Sequence, residues 1–280
     1  MTIVLNDILD DYSVEMTGKD VPSLNEARAL LRPGTRVNVT YLGNEDFGMR
    51  RTAIRAAAGW GFTPVPHISA RRLPSQHALE EFLGALRDDG TTRDVFVVGG
   101  DPARPEGPYR SSLDVIRTGL LEKYGIGSVS ISGYPEGHPD ISDDLLWSAM
   151  AGKSREIAER AITGNVVTQF SFDADAVVAW IEQVRDRGIT VPIRVGVPGP
   201  TGVRRLLAFA GRFGVASSAT IARKYGLSLT NLLGTAGPDR FIRRLSDRLN
   251  DHHGEVRLHF YTFGGLPQTA AWIREFTAKA

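Results

Sequence analysis

The sequence predicts an α/β protein of the (β/α)8-barrel class, and three observations predict it. Eight short runs rich in β-branched and apolar residues recur along the 280-residue chain. Helix-like stretches separate them, and polar residues gather just after the runs. Near-continuous apolar character is expected of strands buried on both faces of a parallel sheet. Strand followed by helix, eight times over, is the pattern of a closed barrel. A doubly wound open sheet competes with it. The lack of a domain-scale linker and of a strand–GxGxxG–helix opening disfavours that alternative. Residues 1–280 are therefore expected to form one domain.

The first strand is expected over 12–16, followed by a helix over 23–31 with Ser23 as its cap and Glu26 three residues on. The second strand, 36–40, leads into an Ala- and Arg-rich helix over 50–60 that ends near Gly61. After the third strand, 63–68, a helix over 75–88 opens at Ser75 and carries Leu79, Phe82, Leu83 and Leu86 at helical spacing. The remaining strands are expected at 94–99, 128–133, 165–170, 193–197 and 257–262. Helices over 111–123, 143–161, 173–187 and 202–213 follow the fourth to seventh strands, and one over 266–278 closes the chain. The stretch 219–249 is too long for an ordinary connection and reads as two extra helices before the last strand. No internal repeat and no low-complexity segment appears.

Composition narrows the chemistry. With no cysteine, the chain has no disulfide, thiolate metal site, iron–sulfur cluster or cysteine nucleophile. Its 33 basic residues nearly cancel 32 acidic ones, which argues against a nucleic-acid partner. No stretch approaches the roughly 18 apolar residues of a membrane span, and the acidic start MTIVLNDILDDYS lacks the features of a secretory signal. A cytoplasmic protein bound to no membrane is the expectation. The basic run from Arg204 reads as a solvated helix face, and His252 and His253 as solvated loop residues. No metal site is expected: His67, Asp101 and His138 lack HxH or HExxH spacing. Neither a G-x-S-x-G elbow nor a Walker sequence is present.

A barrel builds its active site at the C-terminal ends of its strands. Polar residues collect there at seven of the eight: Glu15, Thr40, His67, Asp101, the group Tyr134, Glu136 and His138, then Gln169, and Tyr261. Any one of them alone reads equally as a cap or a loop hydrogen bond. Glu15 is the sharpest, because an unpaired carboxylate inside an apolar strand is costly. Either it is salt-bridged to an arginine of the next strand, or burial disfavours its charged form and suits it to general acid catalysis. Asp101 follows Gly99 and Gly100, which allow a close backbone approach to a ligand or simply a tight turn.

Read in order, these positions fall in SVEM at Ser13, NVTY at Asn38, PHIS at Pro66, GGDP at Gly99, GYPEGHP at Gly133, TQFSFD at Thr168 and LHFYT at Leu258. Spread over nearly the whole chain, they resemble the methylenetetrahydrofolate reductase family, with YPEGHP and TQFSFD the most specific. The resemblance implies a (β/α)8 catalytic barrel that binds FAD, takes hydride from NAD(P)H, and reduces 5,10-methylenetetrahydrofolate to 5-methyltetrahydrofolate. It implies that Glu15 is the acid that opens the folate's five-membered ring to an iminium, that Asp101 stabilises that cation, and that Gln169 bonds pterin and nicotinamide in turn. Thr40, His67, Gly100, Asp101, Tyr109, Tyr134 and His138 match flavin-contacting positions. Glu15, Gln169 and Tyr261 match the folate side. The folate is the implied partner, and a homo-oligomer is compatible with the sequence.

The chain departs from the family pattern at three places. Gly99 stands where an arginine is usual, and Ala158 where a lysine is usual, with Arg155 and Arg160 nearby. Phe263, Gly264 and Gly265 replace a Leu-Asn-Arg continuation whose arginine can meet the folate glutamate. The first two changes remove cations that hold the FAD diphosphate, with Arg110 beside Tyr109 as the nearby replacement. They motivate a second reading, in which NAD(P)H delivers hydride directly and no flavin takes part. A third reading is a folate-binding barrel without catalysis. An aldolase is disfavoured by the lack of a strand-end lysine.

Overall fold

The computed structural model describes residues 5–212 and 235–279. Eight parallel strands close into a barrel: β1 (Ser13–Met16), β2 (Arg36–Val39), β3 (Thr63–Ser69), β4 (Asp94–Val98), β5 (Ser128–Gly133), β6 (Thr163–Phe170), β7 (Ile193–Pro198) and β8 (Val256–Tyr261). They lie in chain order, and β8 pairs back onto β1 through Ser13 opposite His259. This is the (β/α)8 architecture that the strand count predicts.

Side-chain alternation splits each strand between two environments. Outward residues such as Val14, Val37, Val129, Ile131 and Val195 join the helices in the main apolar core. Inward residues are mostly polar and form tiers. At the N-terminal end Arg36 reaches past β3 to Asp94 at 2.7 Å, and Arg194 meets Asp11 at 2.5 Å. Val65, Phe96 and Val167 form a small apolar cluster apart from the main core, with Val167 opposite Arg194 and Phe96 opposite His67. Glu15, His67, Gln169 and Tyr261 come higher still, toward the strands' C-terminal ends.

The helices follow their capping chemistry. Ser75 accepts from the Ala78 amide at 3.1 Å, as its position predicts. Ser23, however, is no cap. The helix runs Val21–Ala27, with Asp20 in the cap position and Pro22 in the first turn, where a missing N–H costs nothing. The next helix, Phe47–Gly59, starts three residues earlier than expected because Asp46 accepts from the Met49 amide at 2.7 Å. The stretch 111–123 is two helices, Ser112–Arg117 and Leu120–Lys123, parted by Gly119 at φ 71°. Of the two extra helices expected over 219–249, one is Asp239–Arg248; the other falls outside the described residues.

His253 corrects the solvated-loop expectation. It is buried, and with Asn250 it closes a capping box on the short turn Asp251–His253, whereas His252 is exposed. Among the described residues of the basic run, Arg204 and Arg205 are exposed, and Arg205 donates to the Phe263 carbonyl. No helix among the described residues is long and apolar enough to cross a membrane.

Candidate active site

Glu15 sits on the inward face of β1, opposite Asn38 of β2. Its side chain is 21% exposed, and its Oε2 lies 3.7 Å from Nε2 of His259, which has no exposure at all. The partner is thus a histidine of the last strand; the arginine of the next strand, Arg36, is committed to Asp94 and Asp11. Ser13 Oγ lies 2.9 Å from the other ring nitrogen of His259. The Glu15 carbonyl accepts from Thr262 Oγ1 at 2.7 Å, which ties the upper ends of β1 and β8 together.

His67 enters from β3. Its Nε2 is 3.3 Å from Asn38 Oδ1, and its ring packs edge-on against Phe96 at 4.7 Å. Burial pushes its pKa down to about 4, more than the nearby Glu15 carboxyl restores, so the imidazole is neutral at pH 7. Tyr261 on β8 packs edge-on against His259 at 4.8 Å and donates to the Thr168 carbonyl at 3.0 Å. Burial first, then Glu15 and Tyr134, raise its pKa well above 10, and it stays a neutral phenol.

The sixth strand is irregular where its chemistry lies. Its register against β7 shifts between Val167 and Phe170, and Thr168 Oγ1 accepts from the Gly196 amide at 2.8 Å. A side chain at 196 would collide with Thr168 O, Phe170 N and the Tyr261 ring, so glycine is required for this close approach. The Gln169 Oε1 accepts from the Phe170 amide at 3.0 Å, and its amide nitrogen is left for a ligand.

The loop after β4 carries Asp101, which is 75% exposed and paired with Arg72 at 2.7 Å; Arg72 also reaches Glu106 at 3.6 Å. Nothing joins Asp101 directly to Glu15 or Gln169. Gly100 holds φ at 94°, and a side chain beginning there would run into the Ser69 hydroxyl. Gly99 faces open space, with no atom within 4 Å of where a side chain would begin.

The fifth-strand loop holds together locally. Tyr134 packs edge-on against His138 at 5.4 Å, His138 Nδ1 accepts from the Asp140 amide, and Glu136 accepts from Ser171 at 2.5 Å. His67, Asp101 and His138 are not brought together, and no cluster of three or more metal-binding side chains occurs among the described residues.

Several polar atoms around β2, β3 and the loop after β4 are sealed without a hydrogen-bond partner: Thr40 Oγ1, Ser69 Oγ, Tyr109 Oη and Arg50 Nε. Arg50 lies over the Tyr41 ring at 3.5 Å and lines a pocket that also includes His67, Leu73, Pro74 and Phe82. Buried groups of this kind ask for a polar partner.

Sequence reasoning missed Ser13, Asn38 and His259. The signal that could have found them is period two: 13 and 15 share a face of β1, and 257, 259 and 261 share a face of β8. Arg50 and Arg72 were missed because they come from helices and turns, which strand-end reading skips.

A model of the family described as methylenetetrahydrofolate reductase matches residues 16–263, beginning one residue after Glu15. A Zea mays protein named methylenetetrahydrofolate reductase (NADH) 1 is 26% identical over 52% of this chain and 26% of its own length. The Schizosaccharomyces pombe protein named methylenetetrahydrofolate reductase 1 is 32% identical over 38% of this chain and 18% of its own. The matched stretch thus spans about a quarter or less of these relatives' length. Dihydropteroate synthase from Thermus thermophilus superposes with a TM-score of 0.48 at 13% identity, over 98% of this chain and 99% of that one.

Proposed function

The chain belongs to the methylenetetrahydrofolate reductase family, and from that premise we propose that it reduces 5,10-methylenetetrahydrofolate to 5-methyltetrahydrofolate with hydride from NAD(P)H. Residues 1–280 then act as one catalytic domain of one-carbon metabolism, supplying methyl groups for methionine synthesis in the cytoplasm. The observation that carries this reading is Glu15: a carboxyl placed on the inward face of the barrel, backed by His259 and flanked by a neutral His67 and a neutral Tyr261.

The residues fit a flavin nucleotide. The sealed hydroxyls of Thr40, Ser69 and Tyr109 lack partners that a ring carbonyl, ribityl chain or phosphate would supply, and Gly100 keeps the backbone low beside them. Thr40, His67, Gly100, Asp101, Tyr109, Tyr134 and His138 would hold it. When bound, FAD supplies a hydride acceptor for NAD(P)H and a hydride donor for the one-carbon unit.

The protein's own part is protonation and charge placement. Glu15 gives a proton to the ring nitrogen of the folate's five-membered ring; the C–N bond opens and an iminium cation remains. The Asp101 carboxylate, already balanced by Arg72, turns part of its field toward that cation. The Gln169 amide holds the pterin from the irregular end of β6, and Tyr261 shapes the same side. Hydride then reaches the iminium carbon and completes the methyl group.

One observation favours the second reading, direct hydride transfer without flavin. Position 99 offers no cation, and Arg72 nearby is committed to Asp101 and Glu106. A visible spectrum of the purified protein, with and without added FAD, separates the two when measured alongside NADH consumption with methylenetetrahydrofolate. Flavin absorption with turnover supports FAD. Turnover in a colourless protein that FAD does not accelerate supports direct transfer. No turnover under either condition overturns the reductase reading and leaves a folate-binding barrel.

A further inference from the structure

The groups behind Glu15 are sealed from solvent, although Glu15 itself is not. Ser13 and His259 have no exposure, and both lie inside the barrel. Ser13 Oγ stands 2.9 Å from His259 Nδ1 and, more loosely, 3.5 Å from the Leu258 carbonyl, while His259 Nε2 makes no hydrogen bond and has Glu15 Oε2 3.7 Å away. A neutral imidazole has one N–H to place. When the Ser13 hydroxyl donates to Nδ1, that proton sits on Nε2 and faces the carboxyl group. A 3.7 Å separation closes to a hydrogen bond with a small side-chain adjustment, as loose catalytic contacts do when ligand binds.

The other groups around this pair leave the role to His259. Tyr261, beside it on β8, spends its hydroxyl on the Thr168 carbonyl. His67, from β3, is neutral and spends Nε2 on Asn38. Arg50 is felt by His67 and makes no ion pair with Glu15, and Tyr134 acts on Tyr261 from the β5 loop.

We propose that His259 is a positioning residue: its Nε2–H occupies Oε2 of Glu15, so that the proton delivered to substrate rides on Oε1. The proton that leaves is the one on Oε1. The proton on Nε2 stays with the imidazole and still holds the carboxylate that remains. Ser13 sets the tautomer from behind. The proposal rests on Glu15 being the acid of the proposed reaction.

The test compares His259→Phe, His259→Gln, Ser13→Ala and Glu15→Gln. The readouts are kcat, KM for the folate and pH–rate profile, together with the ¹⁵N imidazole shifts of His259 across pH. His259→Phe is expected to lower kcat about 10–100-fold, the usual cost of losing an orienting partner, with KM unchanged within about twofold and a displaced pH limb. His259→Gln restores a donor and most of the rate. Ser13→Ala falls between, and it stands in should His259→Phe fail to fold. The ¹⁵N shifts of His259 should change in Glu15→Gln. A wild-type rate and pH profile in His259→Phe, or ¹⁵N shifts indifferent to Glu15→Gln, would overturn the positioning role alone. Full activity in Glu15→Gln would overturn the acid assignment, and the positioning role with it.

Discussion

Glu15→Gln preserves size and removes the transferable proton. Turnover should fall by about 10²–10⁴-fold, the usual contribution of a positioned acid, while folate binding measured directly changes little. Gly99→Arg tests the opposite kind of change. Because nothing lies within 4 Å of a side chain beginning there, an arginine can be accommodated without collision. If FAD is the cofactor, its affinity should rise by about 10-fold or more, as expected of a charge-assisted bond. Quenching of flavin fluorescence reads this directly, and unchanged affinity would place the diphosphate elsewhere. At this scale the sequence was legible where a polar residue interrupts an apolar run, as at Glu15. It was opaque where function depends on pairing: nothing in LHFYT announces that His259 meets Ser13 from the far end of the chain, because the closure of β8 onto β1 is a property of the barrel.

The helix Asp143–Glu159 carries Lys153 on its buried face, with no ion pair or hydrogen bond among the described residues. Burial lowers its pKa to about 8 from 10.5. Between these two values the unfolded chain binds more protons than the folded one, so stability rises as pH rises from about 8 to about 10.5. Below about 8 the full penalty applies. Lys153→Met should therefore stabilise the protein at pH 7, by about 3 kcal/mol at most, and should flatten the alkaline gain. Thermal unfolding at pH 7 and pH 10 checks both. Element boundaries were less legible than element identities. The break at Gly119 is one example: its left-handed conformation interrupts a stretch whose apolar periodicity continues on both sides. The early start at Asp46 is another, since a cap works through its side-chain oxygen and needs no apolar neighbour. Asp20 takes the cap position ahead of Ser23 without a side-chain cap bond, its carboxylate being held by Thr17, and Pro22 favours that start.

The barrel as a whole was legible because parallel strands covered by helices must be apolar on their outer faces, and eight such runs can close on themselves. Its interior was not legible, because inward residues alternate with outward ones and their partners lie on other strands. The charged pairs illustrate this: Arg36 and Asp94 lie far apart in the sequence and on different strands, yet they meet across the interior. Removing one member of a buried pair strands the other, so Asp94→Asn should cost about 3–5 kcal/mol, measured by denaturant unfolding. The pH–rate profile should not move. The neighbours that perturb Arg194 are Asp11, Arg36 and Glu255, and those that perturb His67 are Glu15, His259 and Arg50; the two sets share no member.

The apolar triplet Val65, Phe96 and Val167 touches both sets in the barrel register, with Val167 opposite Arg194 and Phe96 opposite His67. It acts as an insulating partition, with a foundation of fixed charge on one side and a workshop of mobile protons on the other. Drift in the foundation would be judged by whether the chain folds, and drift in the workshop by what it turns over. A lineage carrying this barrel could therefore retune its cofactor or its substrate without renegotiating its stability.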